Sequence, residues 1–373
     1  MPNVIQRFLC ERRGFGRVKT LKSAQSGLSL IELMIAVLIS AAMLTTLLQS
    51  LNSTYLSRSM LVAKNQIQLN GTHAMRTLSQ SLRYNSYEGC KPPGLPTISS
   101  NLGQTPQSIS SLLVGATSTT FPINDPTAQS LLGFDVNDSG NLEPAPPTDE
   151  INNAIAALNP QPRSNSSIVL SYNVSDEVML SSSAMSSTTD SIGIANNTLD
   201  INEGDYVLIT DCFYATIFQA RNTPNTTIQH DGLNALYGAG AQIRRVEYNI
   251  FYVGDTNRRD VSGEPIYALY LSQNSQIQEL AEGVMLLRVE YQAPRDNQRQ
   301  YLSPAAPVLD ISEVRMVQIG MLVASISLPL SAPDDKQYAV LSEVLGPTDL
   351  GGEMQSRGIK QVFTGAVKLR NRG

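Results

Sequence analysis

Histidine occurs twice and cysteine three times in 373 residues, and no G-x-S-x-G, H-E-x-x-H or Walker-type loop is present. Nucleophilic, zinc and phosphate chemistries that need those groups at fixed spacing have no basis in the sequence. His73 lies in a helical stretch and His230 in a polar turn, TTIQHDG, and neither has partners at ligand spacing. No catalytic residue, metal ligand or cofactor site is therefore expected. Charge is scarce as well, at 16%, and 27 Lys+Arg against 32 Asp+Glu leave no net positive field to hold phosphates. A nucleic-acid binder is excluded on that ground. With 42% apolar residues the chain is equally not a disordered acidic tail. No internal repeat of fixed period is visible, and no proline occurs from Leu28 to Lys91.

What charge there is, is unevenly placed. Residues 1–27 carry six bases (Arg7, Arg12, Arg13, Arg17, Lys19, Lys22) and one acid, Glu11, a net +5. The remainder holds 21 bases and 31 acids, a net −10. Directly after the basic stretch, Leu28–Leu51 reads LSLIELMIAVLISAAMLTTLLQSL, with Glu32 its single charge. A helix of that length extends about 36 Å, enough for a bilayer core of about 30 Å. The preceding bases place residues 1–27 in the cytoplasm and everything after about residue 52 outside.

Three readings compete for this segment. A cleaved secretory signal finds small residues at Ser40 and Ala42, but its apolar core would contain Glu32 and the apolar run resumes at Met43. A plain signal anchor explains length and flanks but not the acid, which costs roughly 2.5–3.5 kcal/mol near a helix centre. The third reading takes Gly27 and Glu32 together. The string GLSLIELM, Gly27 to Met34, resembles the signal of type IV prepilins and pseudopilins. That resemblance implies cleavage between Gly27 and Leu28 by a prepilin peptidase/methyltransferase, N-methylation of Leu28, and retention of the apolar segment. Glu32 becomes the fifth residue, where the family places its glutamate. A carboxylate in an apolar assembly needs a partner, and the new terminal amine, its own or a neighbour's, is one. The family usually has Phe where this chain has Leu28, and major pilins often carry a helix-loosening proline that is missing here.

After Leu51 the run turns amphipathic: Leu56, Met60, Ala63, Ile67, Ala74, Leu78 and Leu82 form one stripe at spacings of three and four. Asn70 fills its gap, and Gly71 costs about 1 kcal/mol relative to alanine in a helix. The spacing predicts one helix of about 55 residues, exceeding about 80 Å. Ala36, Ser40 and Ala41 offer small residues for close helix approach, or reflect composition alone. From Tyr84 onward strand signals dominate: 167–172, 206–210, 214–220, 245–253, 266–271, 284–291, 314–327 and 361–370. Within 245–253, Val246, Tyr248, Ile250 and Tyr252 share one face of the pleat. Ser/Thr/Asn/Pro-rich stretches at about 91–130, 173–204 and 329–358 read as long loops or partly disordered insertions. The expected fold is α+β, a long N-terminal hydrophobic then amphipathic helix packed on a predominantly antiparallel sheet. Its divisions are a leader at 1–27, the helix at 28–83 with 28–51 crossing the membrane, and a periplasmic β-rich domain at 84–373.

Cys10 belongs to the leader. Cys90 and Cys212 fall outside the cell membrane, where disulfides persist. A Cys90–Cys212 bridge would contribute about 4–5 kcal/mol in the chain-entropy model; two free buried thiols are the alternative. DVNDSGNLE, Asp135 to Glu143, imitates the first half of a calcium loop, but Pro146 stands where the closing carboxylate belongs. A turn with Asx capping accounts for it better.

Further blocks are similar to the PilW-type minor pilins: RYNSYEGC (83–90), GDYVLITDCFYATIFQA (204–220), ELAEGVMLLRVEY (279–291), VRMVQIGMLVAS (314–325) and FTGAVKLRNR (363–372). GFDVN, at 133–137, falls where that family has a G-F/Y loop. The resemblance implies a type IV pilin-like fold and a minor pilin that helps initiate or prime pilus assembly near the tip. Its implied partners are other minor pilins, the major pilin, the inner membrane and a tip adhesin. Before assembly it would sit in a bacterial inner membrane. A type II secretion minor pseudopilin, and a membrane-anchored periplasmic binding domain unrelated to filaments, remain the alternatives.

Overall fold

The computed structural model describes residues 29–83, 113–114, 131–146, 149–211, 214–233, 235–260, 262–273, 276–295, 298–306, 314–327, 330, 332–349 and 358–369. The chain divides into two compact units, Met1–Tyr55 and Leu56–Gly373.

Helix α1 is one uninterrupted element of 54 residues, Leu30–Arg83. Nothing in its sequence removes a backbone donor, since proline is absent. At its start the Ser29 carbonyl accepts the N–H groups of Glu32 (3.0 Å) and Leu33 (3.2 Å). Glu32 in the first turn and Arg83 in the last both complement the helix dipole. In the first unit every described side chain is exposed, apolar ones included.

In the second unit, α1 buries Ala63, Ile67, Gly71, Ala74, Leu78 and Leu82. The stripe thus begins at Ala63. Leu56 and Met60, expected within it, are 39% and 36% exposed. Gly71 fills the gap because Phe363 stands against it: a Cβ there would clash with the ring. Beside it Asn70 Nδ2 donates to the Glu282 carbonyl at 2.8 Å. The glycine's cost in helix propensity is therefore set against a closer helix–sheet approach.

The strands in chain order begin with β1 Leu113–Val114, β2 Leu131–Val136, β3 Leu142–Glu143, β4 Ser167–Val174, β5 Met179–Leu180 and β6 Ile192–Gly193. They continue with β7 Tyr206–Thr210, β8 Ala215–Gln219, β9 Thr227–Ile228, β10 Gln242–Arg259, β11 Pro265–Gln273 and β12 Gln276–Glu282. The last are β13 Val284–Arg295, β14 Gln298–Leu302, β15 Met316–Ala324, β16 Tyr338–Val340, β17 Glu343–Leu345 and β18 Lys360–Lys368. A short helix α2, Asp149–Ala156, joins β3 to β4. Among the described residues the strands form two large sheets where one was expected, and two small ones, β16-β17 and β6-β9. A ten-stranded sheet runs β1-β8-β7-β10-β4-β2-β3, with β5 and β11 also on β10 and β12 on β11. A four-stranded sheet runs β14-β13-β15-β18. Among the described residues pairing is antiparallel except β1 with β8.

Strand β10 organises the domain. Its first residues pair with β7 and β5, its middle with β4, and its second half with β11. Val246, Tyr248, Ile250 and Tyr252 do share one face and enter one core. Phe251 and Val253 on the opposite face enter the core formed with α1 and the four-stranded sheet. The α1 stripe meets Leu287, Val289 and Tyr291 of β13 and Val317, Ile319 and Met321 of β15 in that same core. Each such large side chain contributes roughly 1.5–3 kcal/mol relative to exposure.

The stretch 173–204 is not a disordered insertion. It carries β5 and β6, and Met179, Met185, Ile192, Ile194, Leu199 and Ile201 are buried in a third core against β7 and β8. GFDVN is likewise not a loop: Gly133–Val136 is strand, and the turn starts at Asn137. Of the stretch 91–130, only β1 falls among the described residues.

Candidate functional site

Leu30, Ile31, Leu33, Met34, Ile35, Val37 and the other large apolar residues up to Leu51 are each more than half exposed. The helix is long and apolar enough at this end to cross a membrane. Its hydroxyls are adapted to such a setting. Ser40 bonds the Ala36 carbonyl (2.7 Å), Thr45 that of Ala42 (2.8 Å), and Thr46 that of Met43 (2.8 Å). Ser53 and Thr54 both bond the Ser50 carbonyl, at 3.0 and 2.8 Å. A polar side chain satisfied by its own helix carries no unpaired group into lipid or against a neighbouring helix. Glu32 differs from these hydroxyls: it is exposed, acidic, in the first turn, and surrounded in sequence by Leu30, Ile31, Leu33 and Met34.

Gly27 and Leu28, the proposed cleavage and methylation positions, lie outside the described residues, as do Cys90 and Cys212. The residues flanking Cys212 close the β7–β8 connection: Asp211 N–H donates to the Tyr214 carbonyl (3.1 Å) and Tyr214 N–H to Asp211 Oδ1 (2.8 Å).

Elsewhere, the 135–143 segment forms a capped turn. Asn137 Oδ1 accepts the N–H groups of Ser139 (3.0 Å) and Asn141 (2.9 Å), and its Nδ2 donates to Glu143. Asp135 accepts the Ser167 hydroxyl at 2.6 Å; burial raises its carboxyl above the usual value despite that bond. Among the described residues no group of three or more His, Cys, Asp and Glu is placed to hold a metal. His73 is exposed on α1. His230 accepts the Gly232 N–H on Nδ1 at 3.0 Å and meets the Phe218 ring edge-on at 5.3 Å. Burial lowers its imidazole below the ordinary value, the Asp190 backbone and the Asp231 and Asp190 charges offsetting part of the effect.

One arrangement had no sequence signal. The segment around β16 and β17 is fastened over the outer face of the four-stranded sheet by three polar contacts. Arg288 pairs with Glu343 at 2.5 Å, Glu290 accepts the Ser342 N–H and hydroxyl, and the wholly buried Lys360 ammonium lies 3.3 Å from Asp334. Their partners are 26 to 55 residues apart in sequence, which no local pattern records.

A long apolar N-terminal helix whose second half packs on a mostly antiparallel α+β domain is a pilin-like architecture. The family model described as Type IV Pilus-assembly protein W matches residues 250–371, from the middle of β10 through β18. The prokaryotic N-terminal methylation motif matches residues 22–48. Together they are consistent with a type IV minor pilin of the PilW type, a structural component of the pilus. Of the blocks noted in the sequence, those at 279–291 and 314–325 fall inside the match, that at 363–372 ends one residue beyond it, and those at 83–90 and 204–220 fall outside. No curated protein matches the chain.

Proposed function

We propose that this chain is a minor pilin that helps initiate type IV pilus assembly, at or near the tip, together with other minor pilins and the major pilin. The observation that carries this reading is the methylation motif at 22–48, laid over a helix whose apolar residues are exposed through Leu51. In this reading a prepilin peptidase removes residues 1–27 and methylates Leu28. The helix from Leu28 to Leu51 first anchors the subunit in the inner membrane and later enters the filament core, with the domain on the periplasmic side. Glu32 pairs with a terminal amine, since an unpaired carboxylate among apolar helices is costly. Cys90 and Cys212 form a disulfide that ties the end of α1 to the β7–β8 hairpin. A domain of this size suits a terminal position better than repeated packing along a thin fibre, and a tip adhesin is the partner expected beyond it.

Deletion of the gene is expected to abolish or sharply reduce surface pili, with complementation by the wild-type chain but not by Glu32→Ala. Pili intact with secretion lost would assign the chain to a type II secretion pseudopilus instead. Normal piliation together with indifference to Glu32→Ala would leave a membrane-anchored binding domain.

A further inference from the structure

The side of α1 that faces away from the sheets has a pattern of its own. Val62, Leu69, Arg76 and Arg83 recur at spacings of seven, with Arg58, Asn65 and Thr72 set among them at three and four. At about 100° per residue these positions form one seam, opposite the stripe from Ala63 to Leu82 that the domain buries. All seven are exposed, Val62 and Leu69 at 59% and 64%. Leu61, on the flank of the seam, is exposed as well. In the sequence the series of sevens carries back through Tyr55, Leu48, Ala41 and Met34.

The seam carries charge of one sign. No Asp or Glu occurs from Leu33 to Arg83, whereas residues 84–373 hold 30 acids against 17 bases. Despite that surplus the seam is left unneutralised. Arg221, Arg245, Arg258, Arg259 and Arg288 form ion pairs within the domain, while among the described residues Arg58, Arg76 and Arg83 form none. Solvation alone would account for the three arginines, but not for Val62 and Leu69 in line with them. Apolar and charged residues mixed at a seven-residue spacing are the pattern of a helix that seats against a second helix.

We propose that this seam docks a helix of a different subunit, one that runs parallel to α1 and sets Asp or Glu opposite Arg58, Arg76 and Arg83. In a parallel pair, equivalent positions of the two helices face each other. A second copy of this chain would therefore bring each of those arginines against itself, and like charges at such positions are destabilising. An acid-bearing helix would instead form ion pairs on either side of the contact made by Val62 and Leu69. The same arginines that attract the partner exclude the copy. The parallel direction and the partner's being a subunit rest on the proposed role as a membrane-anchored pilin; the preference for an acidic helix over a second copy does not.

A charge-reversed form of the chain supplies the probe. Arg58→Glu with Arg76→Glu keeps the seam and inverts its sign, and because both side chains are exposed the variant is expected to melt with wild type. Full-length wild type and variant are mixed in detergent micelles and read by energy transfer between labelled chains. The mixed pair is expected to associate about tenfold more tightly than either chain with itself, and the difference to shrink at high salt. Equal association in all three pairings, or none, would overturn the seam. For the partner, a photo-reactive residue replaces Leu69 in piliated cells. An adduct with an acid-bearing helix of another subunit is expected, and its loss when Arg58→Glu and Arg76→Glu are added. An adduct with a second copy of this chain, or none, would overturn the partner assignment. Glu32→Ala separates this inference from the assembly reading, since it should abolish pili while leaving the micelle result unchanged.

Discussion

Gly71 is unfavourable for the helix it sits in, and Glu32 for the apolar segment around it, and each is explained by something outside that helix. Glu32 complements the dipole at the first turn, but so would any acid near that end; its place among apolar residues is what calls for a cationic partner. Gly71 faces Phe363. Gly71→Ala regains about 1 kcal/mol of helix propensity but forces the ring aside, at a typical overpacking cost of about 1–3 kcal/mol. A net loss of stability is expected in thermal or urea denaturation. Phe363→Leu in the same chain should recover it, and a cycle showing no coupling would contradict the contact. The buried pair Lys360–Asp334 gives an acid signature. Burial pushes the Asp334 carboxyl up, but hydrogen bonds from Tyr338 and the Lys336 N–H, with the Lys360 charge, outweigh it and leave the group below its ordinary 3.8. A folded-state value below the unfolded one means that this stabilisation is present above the unfolded pKa and disappears as pH falls through the folded one. Asp334→Asn should therefore flatten the acid limb of the stability curve below about pH 4. Lys360→Met, which strands a buried carboxylate, should cost about 3–5 kcal/mol at neutral pH.

At the scale of elements, α1 was legible because a proline-free apolar run leads into a stripe at spacings of three and four, and together they admit one interpretation over 54 residues. Strand β7, Tyr206–Thr210, was equally plain, as was the middle of β10 at 245–253, dense in β-branched and aromatic residues, though not its extension to Gln242–Arg259. Strand β2 was not. Gly133 and Asn137 look like turn signals, yet Gly133 is small because the Tyr291 ring and hydroxyl approach it from β13. Two-residue strands such as β5, β6 and β9 exist only through partners far along the chain, and so carry no periodicity of their own. The same holds for the fastening of β16–β17 and for the hydrogen bonds that Asn173 of β4 and Asn249 of β10 donate to the Ser81 hydroxyl of α1. What can be tested is the stripe. Leu78→Ala removes a fully buried side chain from the helix–sheet core and should cost about 2–5 kcal/mol. Leu69→Ala, on an exposed position of the same helix, should stay within about 0.5 kcal/mol.

For the molecule as a whole, the family match covers most of the strands that share a core with α1, while the methylation motif covers most of the apolar segment proposed to leave the membrane for the filament. The two matches support a minor pilin, and the priming role proposed for it predicts scarcity. Immunogold labelling should mark fibre ends and cell-surface bases, and labelling along whole fibres at major-pilin density would contradict a tip position. All of this depends on which residue begins the mature protein. N-terminal sequencing with mass spectrometry of protein from the membrane fraction decides it. An N-methylated Leu28 is expected, with residues 1–27 absent. A chain that retains those residues, or one cut after the apolar segment, would contradict the account.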